Sequence, residues 1–362
     1  MTLGQGKRVA FYAPMKSPHH PVPSGDREMA RNLIAVIGAG GAQVDLMSEL
    51  KIYDKQGDAL VQQDLRDRAQ AEAAQLIRDM PSADVWVTYH NYYKAPDLIG
   101  PTVARALGIP YVQIESTRAS SRLAGCWADF AQSAHDACDA ADVIFYLTAN
   151  DLITLERERH GRQALVHLPP FLPAETLPAR STLNGPMLTA GMMREGDKLA
   201  SYRLIAEVLP HLAGDWQLHI AGDGPARGQV ETLMAPFGER VVFLGQLTRD
   251  QMAEAYGQAS LFFWPGVNEA FGMVYLEAQS HGLPVVAQDR PGLRDILSPA
   301  QYPAPDLGPQ VLATKICRLL DDRDLRAKRG TDARTMIATT HLAPAATQRF
   351  WSTVTPYLEI ST

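Results

Sequence analysis

Short apolar runs alternate with amphipathic stretches along most of this chain. Val9 to Ala13, Gln43 to Met47, Val85 to Thr88, Tyr111 to Ile114 and Val143 to Leu147 read as strands, most of them too uniformly apolar for a sheet with one wet face. Between them lie segments of helical period: from Ser24 or Asp26 to Ile37, Leu60 to Asp79, Pro96 to Leu107, Ser120 to Ala141, and a further one to His160. Val166 to Leu168 ends this first series. The proline-rich, poorly periodic stretch Pro169 to Gly185 reads as a linker. The alternation then resumes. Strands are predicted at Met187 to Ala190, Gln217 to Ala221, Val241 to Leu244, Leu261 to Trp264 and Pro284 to Ala287. Helices are predicted near Lys198, at Pro225, over Thr248 to Gln258, from Phe271-Gly272 to His281-Gly282, and briefly at Asp289 to Leu293. Strand–helix alternation of this kind predicts an α/β protein with parallel sheets. The divisions are 1–170, a linker at 171–185, 186–343 and a C-terminal helix at 344–362.

Composition narrows the class. At 362 residues the chain is long enough for two domains of about 150 residues each. With 46% hydrophobic and 20% charged residues it can bury large cores, which argues against disorder. A net charge of −6 argues against a nucleic-acid partner. The scattered Cys126, Cys138 and Cys317 lack metal-ligand spacing and suggest buried thiols in a reducing compartment. No apolar run approaches ~20 residues, and Met1 to Lys7 has no signal-peptide core, so the expectation is a cytoplasmic protein, peripheral at most.

Glycines are the next guide. Gly38-Ala39-Gly40-Gly41 follows a helix and precedes a strand, the reverse of a dinucleotide fingerprint, and is read as a C-cap and turn. That ranks an NAD oxidoreductase low. The stretch Trp264 to Ala278 is different: a buried strand is stopped by Pro265-Gly266, and a helix starts at Phe271-Gly272. Glu269 and Glu277 bracket that start. Between them, the amides of Ala270, Phe271, Gly272, Met273 and Val274 are free donors at the positive end of a helix, a seat for phosphate or a sugar hydroxyl. A carboxylate accepts two vicinal hydroxyls well, which suits a ribose or hexose diol.

The run Glu269-Ala-Phe-Gly-Met-Val-Tyr-Leu-Glu277-Ala, followed by Gly282-Leu-Pro-Val-Val-Ala, resembles the paired-glutamate signature of retaining glycosyltransferases of family 4. The resemblance is close over Met187 to Ile296 and loose before it. It implies a GT-B fold: two Rossmann-like domains facing across a cleft, with a C-terminal helix crossing back to the first. It further implies transfer from a nucleotide-diphosphate sugar, UDP before GDP or ADP, with retention and no metal or other cofactor. The acceptor it suggests is an envelope glycan or a membrane glycolipid such as diacylglycerol. Glu269 would hold the hexose hydroxyls or the developing positive charge, and Glu277 the ribose.

Arg194 and Lys198, in a strand–helix junction, are the cations available for the diphosphate. The resemblance adds Gly25 and the turn at Gly222 to the donor site, together with Gly245-Gln246-Leu247, where the family holds the base. The acceptor side would draw on His19, His20, Tyr92 and Glu115, and His90 completes the catalytic candidates. Two readings of His90 stand, facing the acceptor or a histidine bonded within its loop. Two stand for Glu115, altered sugar specificity where the family carries a histidine, or a surface glutamate. Tyr92-Tyr93-Lys94 with Arg118 and Arg122 is the candidate membrane patch. Asp322-Arg323-Asp324 spells a metal motif but sits in a charged turn and is read as a helix cap. A nucleotide-sugar epimerase and a non-catalytic nucleotide-sugar-binding protein are the competing functions.

Overall fold

The computed structural model describes residues 3–22, 24–159, 161, 163–269 and 271–360. It divides into two compact units, 1–169 with 343–362, and 170–342.

The first unit is a six-stranded parallel sheet. Its strands are β1 (Arg8–Tyr12), β2 (Gln43–Ser48), β3 (Val85–Asn91), β4 (Tyr111–Ser116), β5 (Val143–Tyr146) and β6 (Ala164–His167), in the order β2-β1-β3-β4-β5-β6. Helices α1 (Gly25–Ala39), α2 (Ala59–Asp79), α3 (Gly100–Leu107), α4 (Ala128–Ala140) and α5 (Ala149–Arg157) connect them. Ser24 caps α1 by accepting from the Arg27 N–H, and Gly40 ends it, so the glycine run is a C-cap and turn. The predicted helix over Ser120 to Ala141 is interrupted. A short 3₁₀ turn at Ser120–Arg122 is followed by Gly125 at φ +82°, and α4 begins only at Ala128. Helix α3 starts at Gly100 rather than Pro96, because the buried Asp97 carboxylate accepts the Ile99 and Gly100 N–H groups and fixes the first turn there. Strand β3 runs three residues past the predicted Thr88, which places Tyr89, His90 and Asn91 on the sheet.

The C-terminal helix α12 (Ala343–Ile360) is part of this unit. Trp351 is buried, its Nε1 donates to the Ile37 carbonyl at 2.9 Å, and its ring lies where a side chain on Gly4 or Gly40 would collide with it. Phe350 stacks on Phe145 at 5.6 Å.

The second unit is a five-stranded parallel sheet of β7 (Met187–Ala190), β8 (Leu218–Ala221), β9 (Val241–Gly245), β10 (Leu261–Phe263) and β11 (Val285–Val286), in the order β11-β10-β7-β8-β9. Its helices are α6 (Asp197–Val208), α7 (Arg227–Met234), α8 (Arg249–Gln258), α9 (Met273–Ser280), α10 (Pro309–Asp321) and α11 (Arg323–Thr340). Residues 170–185 pack into this unit. Phe171 and Leu172 are buried, Leu172 N–H donates to the His341 carbonyl, and Ser181 N–H donates to that of His281. Thr248 caps α8, and Asp322 caps α11 by accepting the Leu325 N–H at 2.9 Å, so the Asp-x-Asp turn is structural. Among the described residues, no group of three or more His, Cys, Asp or Glu is placed to hold a metal, and no helix is long and apolar enough to cross a membrane.

Each sheet reverses its strand order once, between β1 and β3 in the first unit and between β7 and β10 in the second. Loops leaving the carboxyl ends of strands at such a point part to opposite faces and leave a crevice. Both candidate sites lie at these reversals.

Candidate functional site

In the second unit the loops after β7 and β10 carry the site. The first runs through Gly191 to Gly196 and delivers Lys198 on the first turn of α6. The second runs from Trp264 to Gly272. Lys198 Nζ lies 2.6 Å from Glu269 Oε2, and the same oxygen accepts the Trp264 Nε1–H at 3.2 Å. The ammonium also sits over the Trp264 ring, 5.3 Å from its centre. One carboxylate oxygen is therefore held by a cation and an indole. The side chains of Lys198 and Glu269 are only 18% and 15% exposed, so neither can adopt many alternatives.

The loop itself is fixed by several bonds. Asn268, in the left-handed region at φ +48°, donates from Nδ2 to Asp197 at 2.9 Å, and the Val267 N–H donates to Ser201 Oγ at 3.1 Å. Tyr275 Oη donates to the Trp264 carbonyl at 2.9 Å. Gly272 has φ +57°, and a side chain there would stand 2.9 Å from Glu269 Cγ. Because of that turn α9 begins at Met273, one to two residues later than predicted. The N–H groups of Met273 and Val274 open its first turn without intrahelical acceptors. Phe271 is half-buried beside them, and Ala270 lies outside the described residues.

Glu277 is not part of the Lys198 cluster. Its Oε2 accepts the buried Tyr256 hydroxyl at 3.0 Å. Burial pushes its pKa above the ordinary glutamate value, against the opposing pull of that hydrogen bond and of Arg249. Arg194 is exposed on the β7–α6 loop, and its carbonyl accepts the Leu199 N–H. On the neighbouring β8 exit, Gly222 at φ +136° donates its N–H to the Gly245 carbonyl at 2.7 Å. Gln246 and Leu247 follow Gly245 out of β9, the first exposed, the second half-buried.

The first unit holds a second cluster. The β3–β4 register pairs Tyr89 with Ile114 and Asn91 with Ser116, so His90 and Glu115 lie on adjacent strands at the same level. Both are in the left-handed region, at φ +66° and φ +58°, which non-glycine residues seldom adopt. His90 Nδ1 is 3.1 Å from Asp26 Oδ1, and its ring lies 4.9 Å from that of Tyr92. Glu115 is not a surface glutamate: its Oε2 is fully shielded from solvent. Burial raises its pKa, with the His90 charge opposing. For His90, burial favours the neutral ring, but Glu115, the Asp26 hydrogen bond and charge, and Asp151 outweigh it and raise the pKa. Asp26 and Asp151 were not legible as site residues, because one is a helix-start residue and the other a helix-cap partner in sequence. His19 stands apart, exposed and 2.9 Å from Glu49, and His20 Nδ1 accepts the Val22 N–H. Gly25 is exposed, and a side chain there would meet nothing within 4 Å.

Replacing Asp26 by asparagine is expected to lower the His90 pKa, read from imidazole chemical shifts across a pH titration. A raised histidine pKa stabilises the fold fully below the unfolded value near ~6.5 and loses that contribution as pH rises through the folded value. The variant should therefore lose stability on the acid side of that window and little above it. An unchanged His90 titration would mean that Asp26 does not hold the proton there.

Residues 187–322 match the family model for group 1 glycosyl transferases. The second unit is a group 1 glycosyl transferase domain. Its curated relatives include a sulfoquinovosyl transferase of Arabidopsis thaliana, 35% identical over 141 residues, which are 37% of this chain and 27% of the relative. An alpha-D-kanosaminyltransferase of Streptomyces kanamyceticus is 30% identical over 136 residues, 36% of this chain and 35% of that protein. The chain thus spans about a third or less of the length of either of these relatives. Among solved structures, a sucrose-phosphate synthase from Thermosynechococcus elongatus superposes with a TM-score of 0.70 at 17% identity, over 98% of this chain and 100% of that one. Anabaena HepE in complex with UDP-glucose superposes at 0.65 with 15% identity, over 97% and 100%. The chain has the GT-B fold, with one Rossmann-like parallel sheet in each unit.

Proposed function

We propose that this protein is a retaining, metal-independent glycosyltransferase that moves a hexose from a nucleotide-diphosphate sugar to an acceptor hydroxyl. The observation that carries the reading is the Lys198–Glu269–Trp264 cluster, set beside the first turn of α9 at the strand-order reversal of a group 1 transferase domain. When the anomeric C–O bond to the diphosphate breaks, negative charge grows on the leaving group and positive charge on the sugar. Lys198, Arg194 and the N–H groups of Met273 and Val274 suit the first charge, and Glu269 suits the second. Lys198 is paired with Glu269 and is placed to exchange that partner for a phosphate oxygen. Neither glutamate is assigned a covalent intermediate.

Glu277, oriented by Tyr256, is the ribose ligand in this reading, with Gly222 and the Gly245-Gln246-Leu247 backbone flanking the nucleotide. HepE binds UDP-glucose, and other relatives are GDP-mannose-dependent transferases. UDP-glucose and GDP-mannose are therefore the first donors to compare, and UDP is the reading adopted. On the acceptor side we place His90, Glu115 and Tyr92. A glycan or a lipid such as diacylglycerol, which transfer would turn into a glycolipid, is the acceptor class, with contact at a membrane surface in the second case.

Calorimetric titration of UDP and GDP into wild-type protein and Glu277→Gln tests the nucleotide assignment. The variant should bind about tenfold more weakly or worse, as expected for losing charge-assisted bonds of ~1.5–3 kcal/mol. Wild-type affinity should fall as pH drops through the raised Glu277 pKa, at a higher pH than for an ordinary carboxylate. Binding unaffected by the substitution would remove Glu277 from the ribose site.

A further inference from the structure

A separate cavity of about 310 Å³ lies in the second unit, between β11 and helices α10 and α11. It takes no part in the chemistry above. Its uncharged lining includes Val286 of β11, Ala287 just after it, and Leu319, Leu325 and Ala333 from the helices, with Gln301 and Thr314 among the polar side chains. The charged residues that line it are Lys315, Arg318 and Arg329, all cations. No carboxylate lines it, and none pairs with any of the three among the described residues. Arg329 reaches only a backbone oxygen, that of Pro299 at 3.2 Å. Three uncompensated cations around one pocket stand out in a chain whose net charge is −6. The strand adds a further polar group. Pro284 and Val286 turn their carbonyls to Phe262 and Trp264 of the β10 segment, and β11 is the edge of its sheet. Alternation along the strand therefore turns the N–H and C=O of Val285, which also lines the cavity, away from β10.

We propose that this cavity is a second binding site, for an anion with a phosphate-type head and a short apolar body. The three cations and an outward N–H suit a dianionic head, and the aliphatic side chains of the lining suit a hydrocarbon stem. The volume is near the ~300 Å³ lower bound for small-molecule pockets, which limits the buried part to a small ligand. A soluble phosphate ester and the head region of a membrane lipid share this chemistry.

The test uses the full chain and octyl phosphate as the soluble probe. Inorganic phosphate and octanol serve as partial probes, and phosphatidylcholine vesicles with and without phosphatidylglycerol as the membrane arm. Octyl phosphate should bind at least about tenfold more tightly than either partial probe, since each supplies only one of the two contacts. The double variant Lys315→Gln/Arg318→Gln should weaken it about tenfold or more while keeping the wild-type melting temperature. Saturating UDP should leave octyl phosphate affinity unchanged, which separates this site from the nucleotide site whatever the fate of the transferase reading. Vesicle binding that depends on phosphatidylglycerol and is lost in the same variant identifies a lipid source, and octyl phosphate binding without vesicle binding identifies a soluble one. No saturable binding of octyl phosphate, binding unchanged in the double variant, or displacement by UDP would each overturn the proposal.

Discussion

Glu269→Gln is expected to lower kcat/KM for sugar transfer by about 10²–10³, the loss of ~3–4 kcal/mol of electrostatic stabilisation that a preorganised charge supplies in a sequestered site. Affinity for the free nucleotide should change by only a few-fold, because Glu269 faces the sugar in this reading and Glu277 faces the ribose. The prediction follows from how the carboxylate is held. One oxygen takes bonds from Lys198 at 2.6 Å and Trp264 at 3.2 Å, and the packing of Gly272 against its stem fixes the rest of the side chain. Glutamine keeps the shape and can keep an oxygen for Lys198, but it removes the charge. A structural ion pair would behave differently. Lys198→Met and Glu269→Gln would then each cost stability, the double variant would recover part of it, and turnover would follow the folded fraction. A Glu269→Gln protein that is fully folded, binds nucleotide and still transfers sugar near the wild-type rate would end the catalytic assignment.

Gly222→Ala should destabilise the second unit by about 4 kcal/mol, among the largest effects of a single methyl group. The residue has φ +136°, where side chains are strained, and a Cβ would stand 2.0 Å from the Gly191 carbonyl oxygen. That neighbour is backbone at the end of β7, so relief requires moving a strand end rather than a rotamer. The control is Gly228→Ala in α7, where a Cβ meets nothing within 4 Å and the backbone is helical. There the same change should stabilise by about 0.5–1 kcal/mol, through helix propensity and a less mobile unfolded chain. Urea unfolding followed by tryptophan fluorescence compares the two, since Trp216 and Trp264 are buried in this unit. Equal midpoints for the two variants would show that the β8 exit tolerates what this geometry forbids.

What was legible in the sequence is what local chemistry controls. Ser24, Thr248 and Asp322 each announce a helix start by offering an oxygen to orphan N–H groups, and each caps a helix. Buried parallel strands read as unbroken apolar runs, so the strand–helix order was readable too. Errors appeared where one backbone angle or one buried contact decided. Gly125 broke a periodic helix, Asp97 moved the start of another, and Gly272 delayed α9.

The sequence by itself determined the alternation of strands and helices, the caps, and the presence of two glutamates at a loop–helix junction, because these depend on neighbours a few residues apart. Only the tertiary structure decided what those residues face. Lys198 meets Glu269 across 71 positions, and Glu277 meets Tyr256 rather than a second cation. His90, Asp26 and Glu115 come together because β3 and β4 pair in one register and α1 starts beside them. The cavity beside β11 exists because that strand is the sheet's edge. Strand order, register and edge are set by the balance of the whole core, and no short window of residues carries them.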